Sequence, residues 1–180
     1  MRAAIEVQIP SAADLVTAFA RSDVNEEAAA SRLLAIACEL CRAHASQWEA
    51  EDESRDAAAD STRLAAVKRR IDAMNVARSD LIDEVDAWAA RHLRQTEGAP
   101  LHTETLGSVI DRLCIAWVRV QKLHQRGSDL RRALAARQLR ELGVAYDTLV
   151  AEVVAQRRRI PDWRLLKSYG EGTGARTAGP

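Results

Sequence analysis

At 180 residues, with 47% hydrophobic and 29% charged side chains, the chain can bury one self-sufficient core and is too apolar to be disordered. Lysine plus arginine equal aspartate plus glutamate at 26 each, so no net field draws the whole protein to nucleic acid or an anionic membrane. Alanine is abundant, aromatics are 4% and β-branched runs are scarce, which excludes a sheet protein and points to helices.

Residues 1–10 read as extended and stop at Pro10. Ser11 is the expected N-cap of a short helix with Leu15, Val16 and Phe19 on one face. The opening MRAAIEVQIPSAADL carries no apolar core of a secretory signal, and no run nears the roughly 18 apolar residues of a membrane span. The cytoplasm is therefore the expected compartment. Cys38, Cys41 and Cys114 fit a reducing environment. The CxxC pair lies in the helical run 33-LLAIACELC-41 with no second pair to complete a zinc site, so Cys38 and Cys41 read as small core fillers.

A long second helix follows Asp23 or Asn25, with the stripe Ala30, Leu33, Leu34, Ala37, Leu40, Cys41, His44, Trp48. The acidic stretch 49-EAEDESRDAAAD-60 reads as a solvated helix end or a loop. A third helix runs from about Ser61 to Arg94. Its positions Leu64, Val67, Ile71, Met74, Arg78, Leu81, Val85, Trp88 and His92 are spaced 3-4-3-4. Gly98 and Pro100 end it. The fourth helix, about Thr105 to Arg126, is apolar round most of its circumference in 109-VIDRLCIAWVRV-120, which marks a central helix. Gly127 and Ser128 turn the chain into a fifth helix, Ser128 to about Arg158, with Leu130, Leu134, Leu142, Leu149 and Val153. The expected fold is an all-α antiparallel bundle of about five helices forming one domain over 1–169, with 170–180 a disordered tail.

Polar side chains interrupt these apolar faces. Arg78 breaks the third-helix seam, His44 sits on the second-helix stripe, and His124 ends the 110, 113, 117, 120, 124 stripe of the fourth. A buried arginine costs several kcal/mol unless a carboxylate or a ligand anion meets it. Glu104 or Asp111 is the expected partner within a packed core, whereas so many ionisable groups in one bundle point to a pocket. In 101-LHTETLGSVIDR-112, Thr103 or Thr105 can cap the fourth helix, and Gly107 permits close backbone approach that suits an anion at the helix N-terminus. Capping does not require Glu104, Ser108, Asp111 and Arg112 together. A second pattern is Glu49-x-x-Asp52, then 27 residues, then Asp80-x-x-Asp83. Paired carboxylates on adjacent helices can hold Mg²⁺, and this arrangement resembles the ExxE…ExxD set of all-α nucleoside triphosphate pyrophosphatases of the MazG type. A solvated acidic face is the plainer explanation. Arg119, Lys122, Arg126, Arg131, Arg132, Arg137 and Arg140 have few aromatics among them and read as an ordinary charged surface rather than an RNA-binding one.

The segments 48-WEAEDESR-55, 69-RRIDAMNVARSDLIDEVD-86, 101-LHTETLGSVIDRL-113 and 158-RRIPDWRLLKSY-169 resemble the bacterial helical family known as domain of unknown function 4254, over roughly residues 30–169. That family usually has proline where Leu106 stands here. The resemblance implies an all-helical cytoplasmic protein, sometimes encoded near glycosyltransferase genes, and no established activity. Its motifs emphasise Trp48, Asn75, Arg78, Asp80, Thr103, Glu104, Thr105, Ser108, Asp111 and Arg112.

The leading expectation is a small enzyme or binding protein for an anionic small molecule such as a nucleotide, sugar phosphate or carboxylate. Glu104, Asp111 and His124 are its candidate proton-transfer groups. Trp48, Asn75, Arg78, Thr103, Thr105, Ser108 and Arg112 are its candidate binding groups. The alternatives are a Mg²⁺-dependent pyrophosphatase-like enzyme using Glu49, Asp52, Asp80 and Asp83, and a non-enzymatic accessory that forms a homo-oligomer or serves a biosynthetic partner protein. Neither a membrane nor nucleic acid is an expected partner.

Overall fold

The computed structural model describes residues 9–21, 29–56, 60–126 and 128–162, and these form five helices: α1 Ala12–Ala20, α2 Ala29–Asp56, α3 Ser61–His92, α4 Leu106–Arg126 and α5 Asp129–Val154. Residues 1–8, expected to be extended, the expected helix start near Asp23 or Asn25, Gly127, expected in a turn, and residues 163–180 lie outside the described residues. So do the side chains of Ala30 and Arg126. No described helix is long and apolar enough to cross a membrane.

Local chemistry explains the helix starts. Ser11 and Asp14 form a reciprocal capping box, and the hydrogen bonds from Ser11 hold the Asp14 carboxyl below its usual range. Asp60 accepts from the backbone of Thr62 and Arg63 to start α3, and Ser128 accepts from Arg131 to start α5. The acidic stretch after Trp48 continues α2 as far as Asp56, with Glu53 bound to Arg70 at 2.5 Å and thereby held below the usual carboxylate range.

α4 packs against α2, α3 and α5, so it is the central helix, as its near-continuous apolar circumference requires. α2 also packs along α3, while α1 lies on α2 and α5. The main core gathers Leu15, Leu33, Leu40, Val85, Ile110, Leu113 and Tyr146. Tyr146 donates to the Pro10 carbonyl at 2.9 Å, and burial pushes its phenol pKa upward. Ala50, Val67 and Ile71 form a separate cluster with Met74 toward the far end of the α2–α3 pair. Val67, Ile71, Val85 and Trp88 of the α3 seam are thus buried within the chain.

Two expectations change. Leu130 and Leu134 are 69% and 55% exposed. The inward face of α5 runs Ala135, Leu139, Leu142, Tyr146, Leu149 and Val153, a 4-3-4-3-4 stripe that includes the expected Leu142, Leu149 and Val153 and is centred about 100° round the helix from Leu134 and about 140° from Leu130. His92 is exposed rather than core, with its ring stacked on Trp88 at 4.6 Å.

The loop from α3 to α4 is held by the segment beyond α5. His102 donates its backbone N–H to Arg159 O at 2.7 Å, Arg159 donates to Pro100 O at 3.0 Å, and Ile160 donates to the Gln95 side chain at 2.6 Å. Gln156, at φ 56°, turns the chain after α5 so that this segment can reach the loop.

Candidate functional site

Three helices bring three ionisable groups together. His44 of α2 makes a 2.7 Å hydrogen bond from Nε2 to Asp111 Oδ1 of α4, and Arg78 of α3 places Nε 3.4 Å from the same oxygen. His44 is 7% exposed, Asp111 10% and Arg78 30%. The aspartate is therefore the buried hub, with the arginine at the rim. Arg78 Nε is itself buried without a hydrogen-bond partner, so its interaction with Asp111 is ionic rather than a full hydrogen bond.

Beside this triad lies a cleft of about 310 Å³ lined by His44, Gln47, Trp48, Glu51, Arg55, Arg78 and Ile115. The α2 contribution has one cause. Positions 44, 47, 48, 51 and 55 continue the stripe that carries Leu33, Ala37, Leu40 and Cys41 deeper in the core. The stripe turns from apolar to polar at His44, where the helix leaves the core. Asp111 occupies Nε2 of His44, so Nδ1 is the ring nitrogen left for a molecule in the cleft. With the Asp111 carboxylate accepting from Nε2–H, Nδ1 is a proton acceptor in the neutral ring and a donor in the imidazolium. At the rim, Gln47 Nε2 donates to Asn75 Oδ1 at 3.0 Å, and Arg55 pairs with Asp52.

The start of α4 is a built cap. Thr105 is buried, and its Oγ1 accepts from Ser108 N at 3.1 Å. Gly107 donates its N–H to Oδ1 of the buried Asp86 on α3 at 2.7 Å. An added Cβ at Gly107 would lie 2.5 Å from the Ile82 carbonyl oxygen, so glycine lets the two helices approach here. The anion that the glycine admits is the protein's own Asp86, which meets the positive end of the α4 dipole. Four polar residues cluster in this stretch because capping accounts for Thr105 and Ser108, while Asp111 and Arg112 serve different neighbours.

The structure brings Trp48 and Arg78 of the sequence candidates to one cleft, with Asp111 behind it on Arg78 and Asn75 at its edge through Gln47. Of the two acids expected to meet Arg78, Asp111 does so, and Glu104 instead pairs with Arg112 at 2.7 Å. Thr103 is exposed, and Thr105 and Ser108 are spent on the cap. His124 is exposed rather than interior, because the stripe Ile110, Leu113, Trp117, Val120, His124 passes from buried through half-buried to exposed along α4. Glu49 reaches Lys122 at 2.9 Å, Asp52 meets Arg55, Asp80 is exposed and Asp83 is half-buried. Among the described residues no three histidine, cysteine or carboxylate side chains gather as a metal-holding group, so the four acids do not converge. Sequence reasoning omitted Gln47, Glu51 and Arg55. The 44-47-48-51-55 spacing could have revealed them, whereas the pairing of His44 with Asp111, 67 positions apart, left no local trace.

Cys38, Cys41 and Cys114 are all buried, with Cys114 Sγ directed at the Ala37 carbonyl at 3.6 Å. Burial pushes the Cys38 and Cys114 thiols up, strongly for Cys114, which makes them packing groups rather than nucleophiles.

Residues 34–161 match the family described as "Protein of unknown function (DUF4254)", and the chain belongs to that family. No curated protein and no solved structure matches it.

Proposed function

For this member of the family, we infer that the α2–α3–α4 cleft binds an anionic small molecule and that His44, oriented by Asp111, is its proton-transfer group. The observation that carries this is Arg78: a partly buried guanidinium that lines a cleft yet meets its carboxylate through an Nε with no hydrogen bond. An arginine in that position has donors to spend on an incoming phosphate or carboxylate. Trp48 offers an apolar wall, and Glu51 and Gln47 supply polar contacts that fix orientation. His44 then replaces Glu104 and His124 as the candidate base, because it lines the cleft and they do not. The separation of Glu49, Asp52, Asp80 and Asp83 favours this reading over a Mg²⁺-dependent one, and the burial of Val67, Ile71, Val85 and Trp88 within the chain favours it over a scaffold built on the α3 seam. Three buried free thiols agree with a cytoplasmic setting.

The test is a thermal-shift screen of wild type, Arg78→Ala and Arg78→Lys against nucleotides, sugar phosphates, sugar nucleotides and carboxylates. A ligand at 100 times its dissociation constant adds about 2.7 kcal/mol to stability. A shift of several degrees in wild type that vanishes in folded Arg78→Ala is the expected result. A shift that persists in Arg78→Ala, or no shift with any anion, would remove the reading.

A further inference from the structure

A second cleft, of about 210 Å³, lies on the other flank of α4 and is lined by Arg112, Ile115, Ala116, Arg119, Gln138 and Leu142. Ile115 lines both clefts. At 100° per residue, with Asp111 as zero, Ile115 stands at roughly 40°, Arg119 at roughly 80° and Arg112 at about 100° around the helix. Asp111 therefore turns toward His44 and Arg78, the two arginines turn toward α5, and half-buried Ile115 forms the saddle between them.

Each side carries its own cations. On the first side stand Arg78 and Arg55, on the second Arg112 and Arg119. Their present partners compete only modestly. Arg112 meets Glu104 at 2.7 Å with side chains 59% and 36% exposed, and Arg119 meets the neutral Gln138 at 2.8 Å. Exposed pairs of this kind contribute at most about 1 kcal/mol, less than a desolvated phosphate–arginine contact. Glu51 excludes a second anion from its own corner of the first cleft and suits a hydroxyl donor there.

Building on the anion-binding reading above, we propose that the ligand is bis-anionic, with one anionic group at Arg78, an uncharged middle crossing Ile115, and a second anionic group at Arg119 and Arg112. The ligand class is an elongated molecule with anionic groups at separated points, not a compact monophosphate.

Isothermal titration of the full chain tests this with two matched probe series, alkyl monophosphates and α,ω-alkanediol bisphosphates of increasing length, at constant ionic strength. The expected result is a bisphosphate of one preferred length that binds about tenfold tighter than the matching monophosphate, the increment of one charge-assisted contact. Arg119→Gln should abolish that increment and leave monophosphate affinity unchanged, while Arg78→Ala weakens both series. Arg112→Gln gives a second variant at an exposed position. Equal affinity of the two series at every length, or an increment that survives both glutamine variants, would overturn the bis-anion proposal and leave the Arg78 site standing. Failure of wild type to bind either series would overturn both.

Discussion

Replacing Gly107 by alanine tests the account of how α3 and α4 meet. The new Cβ would lie 2.5 Å from the Ile82 carbonyl oxygen, 2.9 Å from Asp86 Oδ1 and 3.0 Å from Ile82 Cγ2. The nearest of these is backbone inside a helix, which cannot swing aside as a side-chain tip can. The helices must part or the α4 start must shift. Overpacking of this kind costs about 1–3 kcal/mol. Parting the helices also stretches the 2.7 Å bond from Gly107 N–H to Asp86, a charge-assisted contact of about 1.5–3 kcal/mol. Alanine returns at most about 1 kcal/mol of helix propensity. The net loss is about 3 kcal/mol, or roughly 6–12 °C in Tm for a chain of this size. Urea and thermal unfolding followed by circular dichroism measure it, with Gly98→Ala as the control because nothing lies within 4 Å of its added Cβ. A Gly107→Ala protein as stable as the control would refute the close-approach argument and the role assigned to Asp86.

Asp111→Ala should destabilise the fold by about 2–3 kcal/mol, since it strands His44 and Arg78 together, and partial exposure of Arg78 screens part of the penalty. Chemical denaturation measures this, and an unchanged midpoint would show that the triad does not hold the three helices. The raised thiols of Cys38 and Cys114 favour the protonated form in the folded state. Their contribution is therefore complete below the unfolded thiol value of roughly 8.5 and is lost as pH rises above it. Stability should fall on the alkaline side from that point, and a triple Cys→Ser protein should lose the part of this slope below roughly pH 10, above which the raised Tyr146 phenol adds its own. At neutral pH, Ellman's reagent should label the native thiols far more slowly than the urea-unfolded chain, and equal rates would contradict their burial.

The amino-acid order alone determined the helices, since a 3.6-residue period is a local property. Ser11, Asp60 and Ser128 mark starts that the backbone adopts, and 109-VIDRLCIAWVRV-120 announces a helix surrounded by others. The stripe from Leu33 through His44 to Trp48 already pointed along α2 to the cleft. In α5 the expected Leu142, Leu149 and Val153 belong to the face that packs, whereas Leu130 and Leu134, equally apolar, lie off the 135-139-142-146-149-153 stripe that their spacing could have shown. Tertiary structure alone decided which polar groups meet. Asp111 rather than Glu104 takes Arg78, His44 joins that pair, and Asp86 reaches Gly107. These pairings depend on how far each helix slides along its neighbour and how it is rotated about its axis. Packing of whole apolar faces sets those two quantities, and a change of one turn in either would exchange every partner while leaving the local periodicity unchanged.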